Sequence, residues 1–159
     1  MEIATLSEQL IEKINQAHEL YHRLVLVVGP SGSGKTPLLQ EVSKHTGFRY
    51  INLNLELSRA LLELTERQRI LRLPLLVDEI IGQTGDQVVL IDNLEILFEV
   101  SLKQDPLRLL QQISRNRTVV ATWNGTIAGG YLTYAAPNHP EYRRYPAHDL
   151  MVVTLEKKS

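Results

Sequence analysis

The sequence predicts an α/β fold in three layers, with helices on both faces of a mainly parallel five-stranded sheet. Three observations predict it. Short apolar runs rich in β-branched residues recur along the 159-residue chain. Segments of helical periodicity separate them. The first run, Leu24–Val28, is apolar throughout instead of alternating, as in strands covered on both sides. Strands that alternate with helices wind into a parallel sheet with right-handed crossovers. The length suits a single domain with a substantial core.

Taken in order, Leu6, Leu10, Ile14, Ala17 and Tyr21 share one helical face. Thr5-Leu6-Ser7-Glu8 has the form of a capping box, so a helix is predicted over residues 6–21. Leu24–Val28 follows as a buried strand. Thr36–Thr46 predicts a helix stopped by Gly47. Arg49–Leu55 alternates in part and predicts a second strand. Glu56–Arg72 is rich in Leu, Glu and Arg, pairs Glu63 with Arg67, and predicts a helix. Pro74 is expected to break it, with a second helical piece running to Ile81. Gly82–Asp86 is a turn, and Val88–Ile91 a third strand. Asp105 caps a helix that opens on Pro106 and runs to Arg115. Thr118–Trp123 is the fourth strand. Residues 124–149 contain several glycines and prolines and predict a long loop. Leu150–Leu155 is the fifth strand, and the tail Glu156–Ser159 is expected to fray.

Composition excludes several classes. The hydrophobic fraction of 43% is ordinary for a soluble domain. No apolar run approaches the roughly 20 residues that span a bilayer, and the N-terminus shows no secretion signal. No membrane association is therefore expected. The absence of cysteine removes disulfides and thiolate metal sites, and fits a reducing cytoplasm. The five histidines show no metal-ligand spacing. A net charge of −1 does not describe a generic nucleic-acid binder. Lys103–Arg144 nevertheless carries six basic and two acidic residues, either a solvated face or a surface toward phosphates.

Gly29-Pro30-Ser31-Gly32-Ser33-Gly34-Lys35-Thr36 fits G-x-x-x-x-G-K-[ST] in full, between a predicted strand and a predicted helix. The glycines let the backbone curl with its N–H groups inward, as a nest for an anion. The following helix turns its positive end on the same point. Lys35 adds a point charge for the β- and γ-phosphates, and the Thr36 hydroxyl is a ligand type for Mg²⁺. The loop therefore implies a bound nucleoside triphosphate, ATP with Mg²⁺, in a P-loop NTPase sandwich. Pro37, in the first helical turn, does not disturb it.

Such a site also needs an acid at the end of a neighbouring strand. Val88-Val89-Leu90-Ile91-Asp92 and Leu75-Leu76-Val77-Asp78-Glu79 compete. Asp92 is preferred, because Ile80 and Ile81 continue a helical pattern past Asp78 and Glu79. Asn93 follows Asp92 where a water-activating acid is expected. Glu95, two further on, either supplies that carboxylate or is an acid favoured by a helix N-terminus. Asn124, at the end of the fourth strand, suits a polar contact to the γ-phosphate, with Thr122 as substitute. Asn124-Gly125 reads equally as a turn signal. Arg143 and Arg144, between Tyr142 and Tyr145, reach a neighbouring subunit's nucleotide, bind nucleic-acid phosphates, or tie the loop down. Trp123 reads as core.

Several segments resemble the BrxF family, the small P-loop proteins of type 3 BREX bacteriophage-exclusion systems. They are Tyr21-His22-Arg23-Leu24, Ile51–Ser58, Val89–Phe98 and the block Lys103–Gly125. The resemblance runs essentially end to end. It implies a role in antiphage defence beside a DNA methyltransferase and other BREX proteins. It also implies an AAA+-like core, here without the helical lid domain usual in that class. The leading expectation is an ATP-binding and ATP-hydrolysing switch subunit that assembles with itself or with partners. A non-hydrolysing, nucleotide-dependent adaptor is the second reading. A small-molecule or nucleotide kinase is the third, with only Arg143 and Arg144 to serve its lid. Contact with nucleic acid is expected to be indirect.

Overall fold

The computed structural model describes residues 2–156. The order of elements is α1 (Ile3–Ala17), β1 (Leu24–Gly29), α2 (Lys35–Thr46), β2 (Arg49–Asn52), α3 (Leu53–Leu61), α4 (Glu66–Gly82), β3 (Val88–Asp92), α5 (Pro106–Ile113), β4 (Thr118–Ala128), β5 (Tyr131–Tyr134), β6 (Arg143–Pro146) and β7 (Met151–Thr154). Two short 3-10 turns, Glu95–Phe98 and Val100–Leu102, lie between β3 and α5.

Five strands form the expected parallel sheet, in the order β2-β3-β4-β1-β7. Alternate side chains of β1 feed two cores. Leu24, Leu26 and Val28 face α3, α4 and α5, while Val25 and Val27 face α1 and α2. This is the three-layer sandwich. Among the described residues no helix is long and apolar enough to cross a membrane. No separate helical unit is present among them either.

The structure corrects several local expectations. Helix α1 begins at Ile3, because the Leu6 amide already donates to the Glu2 carbonyl at 3.1 Å. Thr5–Glu8 therefore lies inside the helix and is no capping box. The buried face ends at Ala17, and Tyr21 stands outside it with the Arg115 guanidinium over its ring. Strand β2 stops at Asn52, whose side chain accepts from the Leu55 amide and caps α3. Leu53, Leu57 and Leu61 then bury a helical face, so the apparent alternation through Leu55 was misleading. Glu56–Arg72 is divided at Leu62–Thr65, where Thr65 and Gln68 form a true capping box. Pro74 breaks nothing. It sits inside α4, and the Ile70 carbonyl it leaves without a helical partner accepts from the Gln104 side-chain amide at 3.1 Å. The expected fraying of the tail falls largely on residues 157–159, outside those described.

The largest correction concerns residues 124–149, which form a ribbon and not a long loop. Strand β4 runs straight through Asn124-Gly125 to Ala128 and turns at Gly129-Gly130, both with positive φ. Two left-handed residues close a tight hairpin whose twist matches its strands. Strands β5 and β6 then pair antiparallel beside it, making the sheet seven-stranded. Gly125 is required where it stands, because the Thr133 backbone occupies the space a side chain would need. That carbonyl accepts from the Trp123 indole N–H at 3.1 Å.

Candidate nucleotide site

The loop after β1 turns as its glycines dictate. At Gly29 an added Cβ would meet Ser33 Oγ at 2.5 Å and the Leu155 carbonyl at 2.7 Å, so a side chain does not fit. Gly32 and Gly34 have φ of +82° and +97°, values costly for any other residue. Gly34 is the N-cap of α2 and offers no side-chain acceptor, so no cap occupies the amides of the first turn. Unfilled amides at a helix start, with the helix dipole behind them, are an anion site. Ser31, Gly32, Gly34, Lys35 and Thr36 line a notch of about 220 Å³ with Asp92, Asn93, Glu95, Thr122 and Asn124. Its lining of loop backbone, Lys35 and Thr36 suits phosphates and an ion.

Lys35 is folded back on its own loop. Its Nζ donates to the carbonyls of Gly29 and Pro30, both at 2.7 Å, and to Ser33 Oγ at 3.4 Å. Burial lowers its pKa, against the opposing pull of the Asp92 and Glu95 carboxylates. A triphosphate placed beside it would raise that pKa again. ATP binding is therefore expected to take up protons on the alkaline side, below the ordinary lysine value of 10.5. Affinity should fall as pH rises through that range. Calorimetry in two buffers of different ionisation heat reads the uptake, and Lys35→Arg, which keeps its charge, should abolish it.

Asp92 ends β3, is 3% exposed, and accepts four hydrogen bonds. Thr36 and Tyr50 hydroxyls donate to Oδ2, each at 2.6 Å. The Thr122 hydroxyl at 2.8 Å and the Asn93 amide at 3.0 Å donate to Oδ1. The Thr36 proton is directed at Asp92, which leaves its oxygen lone pairs for a cation. The donor set thus fits a Mg²⁺, which Thr36 and Asp92 would hold. Burial, then the hydrogen bond and charge of Asp92, push the Tyr50 hydroxyl well above the usual tyrosine range, so it remains a proton donor.

Asn93 has φ of +58°, a left-handed conformation that asparagine tolerates better than most residues. The turn it makes carries Glu95 back into the notch. Glu95 Oε1 accepts from Asn124 Nδ2 at 2.5 Å, while Oε2 is shut off from solvent with no donor in reach. Asp78 and Glu79 lie on α4, where Asp78 pairs with Arg117 at 3.0 Å, far from this chemistry.

The predicted site residues therefore divide. The phosphate loop, Asp92, Glu95 and Asn124 come together. Arg143 and Arg144 do not line the notch. Arg143 donates to the Gln104 carbonyl at 2.8 Å and secures β6, and Arg144 lies 3.6 Å over the Tyr131 ring. Tyr50 was missed, because only the pairing of Asn52 with Asp92 across β2 and β3 shows that Tyr50 can reach the carboxylate.

The model of the AAA family, "ATPase family associated with various cellular activities", matches residues 25–122. No curated protein matches the chain. Two solved structures are similar. One is PCH-2 of C. elegans, at 19% identity and a TM-score of 0.43, with 99% of this chain and 41% of that chain covered. The other is AMPPCP-bound DnaA from Aquifex aeolicus, at 19% identity and a TM-score of 0.44, with 74% of this chain and 36% of that chain covered. The chain thus spans less than half the length of either. The family match covers more than half of the chain, from the second residue of β1 through the phosphate loop, Asp92 and Glu95 to Thr122, and the chain belongs to the AAA family of nucleotide-binding ATPases.

Proposed function

We propose that the chain binds ATP with Mg²⁺ and hydrolyses it, slowly or on contact with a partner, as a cytoplasmic switch subunit of a type 3 BREX antiphage system. The observation that carries hydrolysis is Glu95. It is a carboxylate that lines the notch beside the phosphate loop and is held on one oxygen by Asn124. Glu95 is thereby suited to orient or deprotonate the attacking water, and Asn124 fixes it. Lys35 and the amides of α2 receive the phosphates. Bound Mg²⁺, held by Thr36 and Asp92, would supply charge neutralisation there. Asn93, which stands where a water-activating acid is expected, instead turns the chain so that Glu95 enters the notch, and this favours hydrolysis over the adaptor reading.

The BREX assignment is supported by the resemblance of Ile51–Ser58, Val89–Phe98 and Lys103–Gly125 to the BrxF family. Its partners would be other BREX proteins and further copies of this chain. Arg144, exposed on β6, is the better placed of the two arginines to meet a neighbour's phosphates.

Lys35→Ala removes a charged donor worth about 3 kcal/mol to the phosphates, so ATP affinity should fall about a hundredfold by calorimetry. An unchanged affinity would place the nucleotide elsewhere. In a bacterium carrying the remaining BREX genes, the same variant should lose phage restriction that the wild-type chain restores. Equal restriction by both would remove the defence reading.

A further inference from the structure

We propose that Tyr50 is a positioning residue for the divalent cation that accompanies the nucleotide, its hydroxyl holding the Asp92 carboxylate in the orientation that serves the ion. The inference rests on the reading of the notch as an ATP site. A carboxylate has about four lone-pair directions, and Asp92 has a donor on each. Three of the donors are local to the phosphate-binding machinery: the loop residue Thr36, the amide of the next residue, and Thr122 on the adjacent strand β4. Tyr50 alone comes from the edge strand β2.

Packing does not explain the hydroxyl. The Tyr50 ring packs against the core formed with α1 and α2, a place phenylalanine would fill without burying a polar group. The oxygen instead reaches Asp92 Oδ2, the atom that also holds Thr36, and both distances are 2.6 Å. Two hydroxyls on one carboxylate oxygen prevent the group from rotating and keep Thr36 oriented toward the notch. Supporting donors of this kind typically contribute 10–100-fold to metal affinity.

The test is Tyr50→Phe, with ATP binding measured by calorimetry twice, once in chelator and once across a Mg²⁺ titration. Metal-free ATP affinity should stay within about twofold of wild type, while the Mg²⁺ half-saturation rises about tenfold. An unchanged half-saturation would overturn the proposal. A lower one would also overturn it, since it would mean that Tyr50 competes with the ion for Asp92. A parallel loss of both affinities would mark a purely structural residue. If wild type binds no ATP in either condition, the nucleotide reading fails instead, which is a distinct result; wild-type ATP binding that Mg²⁺ does not change would overturn the proposal. A second measurement avoids the variant's folding: with ¹³Cζ-labelled tyrosine, Mn²⁺ added to the wild-type ATP complex should broaden the Tyr50 signal, and an unbroadened signal would count against the role.

Discussion

Glu95→Gln is expected to keep its ATP and lose its turnover by about a thousandfold, the middle of the range for a positioned general base. Glutamine fills the same space but offers one acceptor where glutamate offers two. If its oxygen takes the Asn124 hydrogen bond that Oε1 now accepts, its amide group occupies the place of Oε2. A donor then faces the hydrogens of the water that Glu95 would orient. The change also removes a negative charge near the phosphates, so ATP affinity should hold or improve. The measurement is a comparison of kcat with the calorimetric Kd, with any partner that raises the wild-type rate present. Turnover within tenfold of wild type would assign the water to another residue, and loss of both quantities together would mean a damaged fold.

Trp123→Ala should cost about 3–5 kcal/mol of stability, the range for truncating a large buried aromatic. Trp123 is 1% exposed, meets Phe98 edge-on at 5.1 Å and Tyr145 at 5.9 Å, and donates to the Thr133 carbonyl. Phe98 is in turn stacked on Tyr134 at 3.5 Å between centroids. This cluster joins the ribbon to the turn that begins with Glu95. Its loss should lower kcat more than ATP affinity, because Glu95 loses its support while the phosphate loop keeps its own. Denaturant unfolding followed by far-ultraviolet circular dichroism checks the stability. A loss under 1 kcal/mol would show that the ribbon does not rest on this residue.

What the sequence disclosed was what depends on short stretches of chain. The phosphate loop is legible because glycine geometry, helix start and lysine lie within eight residues. Strands β1 and β3 are legible because burial on both faces leaves a continuous apolar run. Asp92 could be chosen over Asp78 because helical spacing continues past the latter. The ribbon was not legible, because Asn124-Gly125 signals a turn, while pairing with β5 and the aromatic cover of Trp123, Tyr134 and Tyr145 carry β4 beyond it. Gly129-Gly130 was the available hairpin signal. Pro74 misled because its missing hydrogen bond is compensated by Gln104, which is remote in sequence. Tyr50 required strand register, and local pattern does not encode register between separated strands.

The sheet order also has a consequence for how the protein is made. Strand β1 lies between β4 and β7, with Leu24 beside Val119 and Val25 beside Met151. Both neighbours of this strand therefore leave the ribosome long after it does. Until then Leu24–Val28, apolar along its whole length, has two open edges on a nascent chain. Long-range parallel pairing of this kind is slow and exposes aggregation-prone surface while it waits. Helices α1 and α2 on one face of β1, and α3 and α4 on the other, all precede β4 in the chain and are the cover available to it during synthesis.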